Sequence, residues 1–317
     1  MKFTISIAIA THNGERFLRE QLDSLYAQTR QADEIVVCDD CSKDGTAAIL
    51  EEYHQKYGLI YHINEHQLGV NANFFKAMSL CKGDFISICD QDDIWLPHKV
   101  ETLYNHLVQM NLDVPCVVSS MRKDIDIQGH EIAVVQGCYS EGWKASLLTY
   151  GRNQGCAMMM NQLVASNILN VIKASRTSLT DIYYDEWIAY TAAILGEKHN
   201  LPDVLMKYRH HDANVVDQAT HYGKLSFRQK VSYLPTFYGF IPDERFIPLE
   251  IVYEAYKERI DDAELVDFLC KIKQCNRCHN SFKKLRIILS MHCLTGLQKL
   301  QILCKSTCSI ILKRIFL

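Results

Sequence analysis

Through the first 120 residues, short apolar runs alternate with segments of helical periodicity, and the apolar runs end in polar clusters. Residues 3–10 alternate and are rich in Ile, and Thr11-His12-Asn13-Gly14 follows with turn and cap chemistry. Phe17, Leu18, Gln21, Leu22, Leu25 and Tyr26 then recur at helical spacing. The rhythm continues with strands over 34–38, 59–63 and 85–89, and helices over 46–57, 70–80 and 96–108. A strand over 115–120 continues the layer. Repetition of this kind predicts an α/β fold with a mostly parallel sheet covered by helices on both faces. Parallel strands end on one rim, so Thr11–Asn13, Asp39–Asp44 and Asp90–Asp93 are expected to meet in one crevice, where such sheets bind ligands.

The densest of these clusters is Cys89-Asp90-Gln91-Asp92-Asp93-Ile94-Trp95, with three carboxylates in four positions. Carboxylates so crowded repel unless a hard cation or hydrogen-bond donors offset them, which points to a divalent-metal site. A solvated turn with an acidic helix start is the alternative reading of this segment taken alone.

At 317 residues, 48% hydrophobic and 22% charged, the chain has the composition of a folded protein with a full core. A formal net charge of -3 argues against a general nucleic-acid binder, and no nucleic-acid partner is expected. Charge is uneven: from Phe268 onward there are ten Lys and Arg and no Asp or Glu. The opening apolar run is too short for a membrane span and lacks a cleavage pattern, so the thirteen cysteines are expected to be free thiols in a reducing cytoplasm.

No G-x-G-x-x-G follows the first strand and no G-x-x-x-x-G-K-[ST] occurs, which disfavours dinucleotide dehydrogenases and P-loop enzymes. Phosphates bound at such a sheet would need another neutralising group, and a metal held by Asp92 provides one.

The runs Ile9–Leu18, Val37–Thr46, Leu68–Phe74 and Asp90–Leu96 together resemble an inverting family 2 glycosyltransferase with the GT-A fold. With Tyr184-Asp185-Glu186-Trp187 and Tyr208–Val215 downstream, the pattern most resembles bacterial rhamnosyltransferases of cell-surface polysaccharide assembly. The likeness spans roughly residues 3–216. It implies a GT-A catalytic domain over 1–216, with 1–120 binding the nucleotide sugar and 121–216 the acceptor, and a helical region over 217–317. By position, it implies that Thr11, Asn13, Asp40 and Asn73 line the donor pocket, Asp40 accepting from N3–H of a uracil or thymine ring. Asp90 would approach the ribose, Arg209 would stand by the phosphates, and Asp92 and His211 would hold Mg2+ or Mn2+. Asp185 matches the family's base, with Gln154, Gly155 and Trp187 on the acceptor side. Cys41 departs from the family pattern, which has glycine after the paired acids, and leaves that loop's conformation open.

The implied reaction moves a sugar, rhamnose from dTDP-rhamnose, onto a hydroxyl of a lipid-linked glycan. A UDP-hexose donor is the alternative within enzymes, and a noncatalytic nucleotide-sugar or glycan-binding protein is the alternative outside them. Read without the resemblance, Tyr183, Tyr184 and Trp187 are core aromatics with Asp185 as a helix cap, and the histidine pair beside Arg209 is a surface loop. Met158-Met159-Met160 reads as core packing. Residues 285–317 form a basic amphipathic pattern, either a helical cap or helices lying on the inner face of the plasma membrane. Cys275-x-x-Cys278-His279 fits a haem-attachment pattern but has no export signal to support it, and a zinc site there lacks a second ligand pair. A homo-oligomer is compatible with all of this.

Overall fold

The computed structural model describes residues 2–135, 154–174, 183–212 and 247–277, together with 286, 287 and 290. The chain divides into two compact units, Met1–His210 and His211–Leu317.

In the first unit β1 (Ile5–Thr11), β2 (Glu34–Asp39), β3 (Ile60–Ile63) and β4 (Phe85–Cys89) form a parallel sheet in the order β3-β2-β1-β4. Between them run α1 (Leu18–Tyr26), α2 (Thr46–Tyr57) and α3 (Val70–Leu80). Each helix lays an apolar face on the sheet: Leu18, Leu22 and Leu25 from α1, Ile49, Leu50 and Tyr53 from α2, and Phe74, Ala77 and Met78 from α3 are buried. Fully burying a side chain of this size stabilises the fold by roughly 1.5–3 kcal/mol. Register pairs Thr11 with Asp39 and Ile9 with Cys89, so the carboxyl ends of β1, β2 and β4 lie side by side, as the sequence pattern requires.

Beyond β4 the sheet becomes mixed. Its further strands are β5 (Ile94–Trp95), β6 (Cys116–Ile125), β7 (Glu131–Val135), β8 (Met158–Asn161) and β9 (Glu197–Arg209). β8 runs antiparallel to β4 and β6, β9 runs parallel to β6, and β5 and β7 add antiparallel to β9 and β6. Helices α4 (Lys99–Leu107), α5 (Gln162–Ala174) and α6 (Tyr184–Leu195) complete this half. The expected helix over 96–108 starts later because Ile94 and Trp95 pair with Lys207 and Met206, and Leu96 N–H donates to Leu205 O at 2.9 Å. Beyond the last expected strand, which ends at 120, the chain supplies the rest of β6 and three more strands. β9 is concealed by its sequence: Pro202 sits where its register against β6 shifts, the bulged setting in which a sheet tolerates proline. Met158, Met159 and Met160 are fully buried, the core role expected of them.

In the second unit α7 (Ile247–Tyr256) and α8 (Ala263–Asn276) form a helical pair. Asp262 caps α8, its carboxylate accepting from the N–H groups of Glu264 and Leu265. Lys273 pairs with Glu254, and Arg277 with Glu250 at 3.0 Å. The basic amphipathic stretch over 285–317 and the Cys278-His279 half of the haem-like pattern lie outside the described residues apart from 286, 287 and 290. No helix among the described residues is long and apolar enough to cross a membrane. Cys38, Cys81, Cys89, Cys116 and Cys156 are free, buried thiols.

Candidate active site

At the ends of β1 and β2 two loops are laced together. Asn13 takes a left-handed backbone (φ 49°); its N–H donates to Ser42 Oγ and its side-chain carbonyl accepts from Lys43 N–H, both at 2.8 Å. Gly14 N–H donates to Thr46 Oγ1 and His12 Nδ1 lies 2.7 Å from Asp40 O. Cys41 is also left-handed (φ 62°), the conformation glycine adopts without a Cβ penalty, which accounts for the glycine expected after paired acids.

Asp40 is buried. Its carboxylate accepts from Leu68 N–H at 2.7 Å, Gly69 N–H at 2.8 Å and the Asn64 amide at 2.8 Å. Asn64 in turn donates to Asn73 Oδ1 and accepts from Lys76 Nζ, and Asn73 donates to Cys38 O. Asn73 is thus buried behind Asp40, joined to it through Asn64.

Gln91, which the sequence reading passes over, clamps β1 to the acidic loop. Its Oε1 accepts from Thr11 Oγ1 at 2.7 Å and His12 N–H at 2.9 Å, and its amide donates to His12 O at 3.2 Å. The clamp needs the glycine at 14, where a Cβ would stand 2.5 Å from Gln91 Oε1.

Next to this clamp, oxygen atoms of Asp90 and Asp93 and the Cys156 sulfur all lie within 4.8 Å of one another. Burial, then the Asp92 charge, raises the Asp90 carboxyl to about 6, and the same two causes push Asp93 well above the carboxylate range. Asp93 is fully buried; Oδ1 accepts from Arg209 N–H at 3.1 Å, while Oδ2 has no hydrogen-bond partner among the described residues. An orphaned buried oxygen beside a second carboxylate fits a hard divalent cation. Cys156 does not fit one: burial drives its thiol well up, so it stays protonated. Asp90, Asp93 and the half-buried Asp92 are therefore the residues that could hold Mg2+ or Mn2+. Asp93 went unassigned in the sequence reading because its burial is not visible there.

Asp90 also accepts from Tyr184 Oη at 3.2 Å. The Tyr184 ring stacks on Phe74 at 3.9 Å, and its backbone N–H donates to Asn71 Oδ1 at 3.0 Å. Gly155 makes room for the ring, since a Cβ there would stand 2.2 Å from Tyr184 Cε2. Gly155 and the half-buried Gln154 accordingly lie beside the acidic cluster, with Gln154 O accepting from Ala157 N–H. Asp185 follows Tyr184 in the first turn of α6, whose cap position is Tyr183. It is half-buried, accepts from Glu186 N–H at 2.8 Å, and burial followed by the Glu186 charge lifts its carboxyl to about 8; Asp90 adds to that lift. A carboxyl so poised near neutral pH suits proton transfer.

Two expected contacts have other duties. Trp187 is fully buried on α6, so it belongs to the core and offers no wall to an acceptor. Arg209 is only 2% exposed: its N–H holds Asp93, Nε donates to Asp92 O at 3.0 Å, Nη1 to Ile127 O at 3.2 Å, and Nη2 pairs with Glu20 at 2.6 Å. Its guanidinium also lies over the Phe17 ring. These bonds fasten the acidic loop to the end of β9. His210 pairs with Asp124 at 2.9 Å, and His211 is the first residue of the second unit.

The geometry meets a consistent set of relatives. The family model described as Glycosyl transferase family 2 matches residues 6–164, half of the 317-residue chain. An uncharacterized protein of Mycobacterium bovis is 27% identical over 222 residues, 65% of this chain and 59% of that protein, so the match spans less than two thirds of the relative's length. Among solved structures, residues 1–349 of S. aureus TarS in complex with UDP-GlcNAc align with TM-score 0.54 at 14% identity, covering 86% of this chain and 91% of that one. A mannosyltransferase from Pyrobaculum calidifontis in complex with GDP-Man and Mn2+ aligns with TM-score 0.51 at 13% identity, covering 98% and 81%. Likeness at such identity speaks for architecture alone, the GT-A fold. Strand ends that carry the acidic loop to one rim are what the matched region encodes, and by that match the chain belongs to glycosyl transferase family 2.

Proposed function

We propose that the protein is an inverting glycosyltransferase that moves one sugar from a nucleotide-sugar donor to a hydroxyl of a lipid-linked glycan. The observation that carries this reading is the convergence of Asp90, Asp93, Tyr184 and Asp185 at the carboxyl rim of the sheet, where Asp40 follows the end of β2. Asp40 keeps one further acceptor site beyond its three internal bonds, enough for an imide N–H of a thymine or uracil ring. A divalent cation at Asp90, Asp92 and Asp93 would stabilise charge on the departing nucleoside diphosphate. Asp185, as carboxylate, takes the acceptor hydroxyl's proton while that oxygen bonds to the anomeric carbon and the carbon–diphosphate bond breaks on the opposite face.

The Asp-Gln-Asp-Asp-Ile-Trp run and its downstream partners, similar to rhamnosyltransferases, favour dTDP-rhamnose as the donor and cell-surface polysaccharide as the product. UDP-GlcNAc in the TarS complex supports a UDP-linked sugar as the second reading. A thermal-shift panel of dTDP, dTDP-rhamnose, UDP, UDP-glucose, UDP-galactose and UDP-GlcNAc, with and without Mn2+, separates them. The proposal expects one nucleotide sugar to raise the melting temperature most, in a manner that needs Mn2+ and is lost in Asp92→Ala. Equal, metal-independent responses would contradict it.

A further inference from the structure

Lys99 takes no part in that chemistry, yet it is fully buried beneath the acidic loop. It opens α4, and its Nζ donates to the backbone carbonyl of Cys156, approaches Met206 Sδ at 3.6 Å and lies 3.5 Å from the centre of the Trp95 ring. None of these partners carries a charge. An ammonium taken out of water without a charged partner is unfavourable, so something close by must offset it.

Cys156, whose carbonyl receives the Lys99 donor, is also the residue whose sulfur lies within 4.8 Å of the Asp90 and Asp93 oxygens. Burial lowers Lys99 to about 8, while negative charge on Asp93 and Asp90 acts to hold its proton. Lys99 in turn acts to keep Asp90 and Asp93 ionised against burial and mutual repulsion. The ammonium and the carboxylates are therefore one electrostatic unit, with the Cys156 backbone between them.

We propose that Lys99 is the resident counter-cation of the acidic loop: it offsets Asp90 and Asp93 before a divalent cation arrives, and its charge limits how tightly that cation binds. The inference rests on the divalent-cation reading of the site. It makes Lys99 a positioning residue, and it predicts an effect opposite to that of ordinary damage, because removing a neighbouring positive charge strengthens cation binding.

The test is a titration of Mn2+ at pH 7, followed by the electron paramagnetic resonance of free Mn2+, on wild type, Lys99→Met and Lys99→Gln. Met preserves length and volume; Gln also preserves a donor for Cys156 O. Both variants should bind Mn2+ about threefold more tightly or better, the direction Coulomb's law requires. Metal-free, both should melt below wild type, and Mn2+ should raise their melting temperature by more than it raises that of wild type. Unchanged or weaker Mn2+ binding by folded variants, beside a wild type that binds, would overturn the Lys99 role alone. Failure of both variants to fold even with Mn2+ would also overturn it, since the cation is held to replace the lost charge. A wild type that binds no Mn2+ would overturn the divalent-cation reading together with this one.

Discussion

Three side chains carry the sharpest consequences. Cys41 holds a left-handed backbone that disfavours any residue with a Cβ by roughly 1–2 kcal/mol, part of which glycine returns through its greater freedom when unfolded. Cys41→Gly should therefore raise unfolding stability by up to about 1 kcal/mol, read by urea denaturation; a loss of stability would mean that the thiol's bond to Asn64 O outweighs the strain. Tyr184→Phe keeps the ring against Phe74 and Gly155 and deletes only the hydroxyl at Asp90. Steady-state kinetics should show donor KM rising by about three- to tenfold with melting temperature nearly unchanged, the loss expected for one ordinary hydrogen bond. Asp185 supplies a pH signature. Its carboxyl is raised to about 8, so the base form is the minority at pH 7, and kcat/KM should climb as pH rises toward about 8 and level off above it. A flat profile between pH 6 and 9 would remove Asp185 as the base.

At the level of elements, the segment from Asp90 to Trp95 is held from three sides: Gln91 ties it to the end of β1, Ile94 and Trp95 join β9, and Arg209 at the end of β9 closes over Asp92 and Asp93. Arg209→Met should cost about 2–4 kcal/mol of stability by leaving buried acceptors unpaired, and guanidinium unfolding reads it directly. A loss confined to donor KM, with unfolding unchanged, would restore Arg209 to the phosphate-facing role read from the sequence. The motif position of Arg209 is visible in the sequence, whereas its burial under Glu20, Phe17 and the acidic loop arises from pairing between strands more than a hundred residues apart. The roles of Gln91 and Lys99, and the bond from the core aromatic Tyr184 to Asp90, are hidden for the same reason, since each depends on a partner remote in the chain.

Across the whole molecule the division is similar. β1 to β4 and their helices were legible because each is specified locally, by alternation or 3.6-residue periodicity, and parallel order follows from the βαβ rhythm. β8 and β9 were not, because a run of methionines and a strand interrupted by Pro202 carry no period of their own and are recruited by the sheet already built. The donor-side rim was thus readable from the sequence, while the manner in which Tyr184 and Asp185 join it was not. The central claim is that Asp185 removes the acceptor's proton at a rim that binds the donor independently of it. The most direct measurement is the transfer rate of Asp185→Asn beside wild type, with donor affinity measured on the same preparations. The account predicts a fall in kcat of about a hundredfold or more with donor Kd within about twofold of wild type. Turnover at the wild-type rate would contradict it.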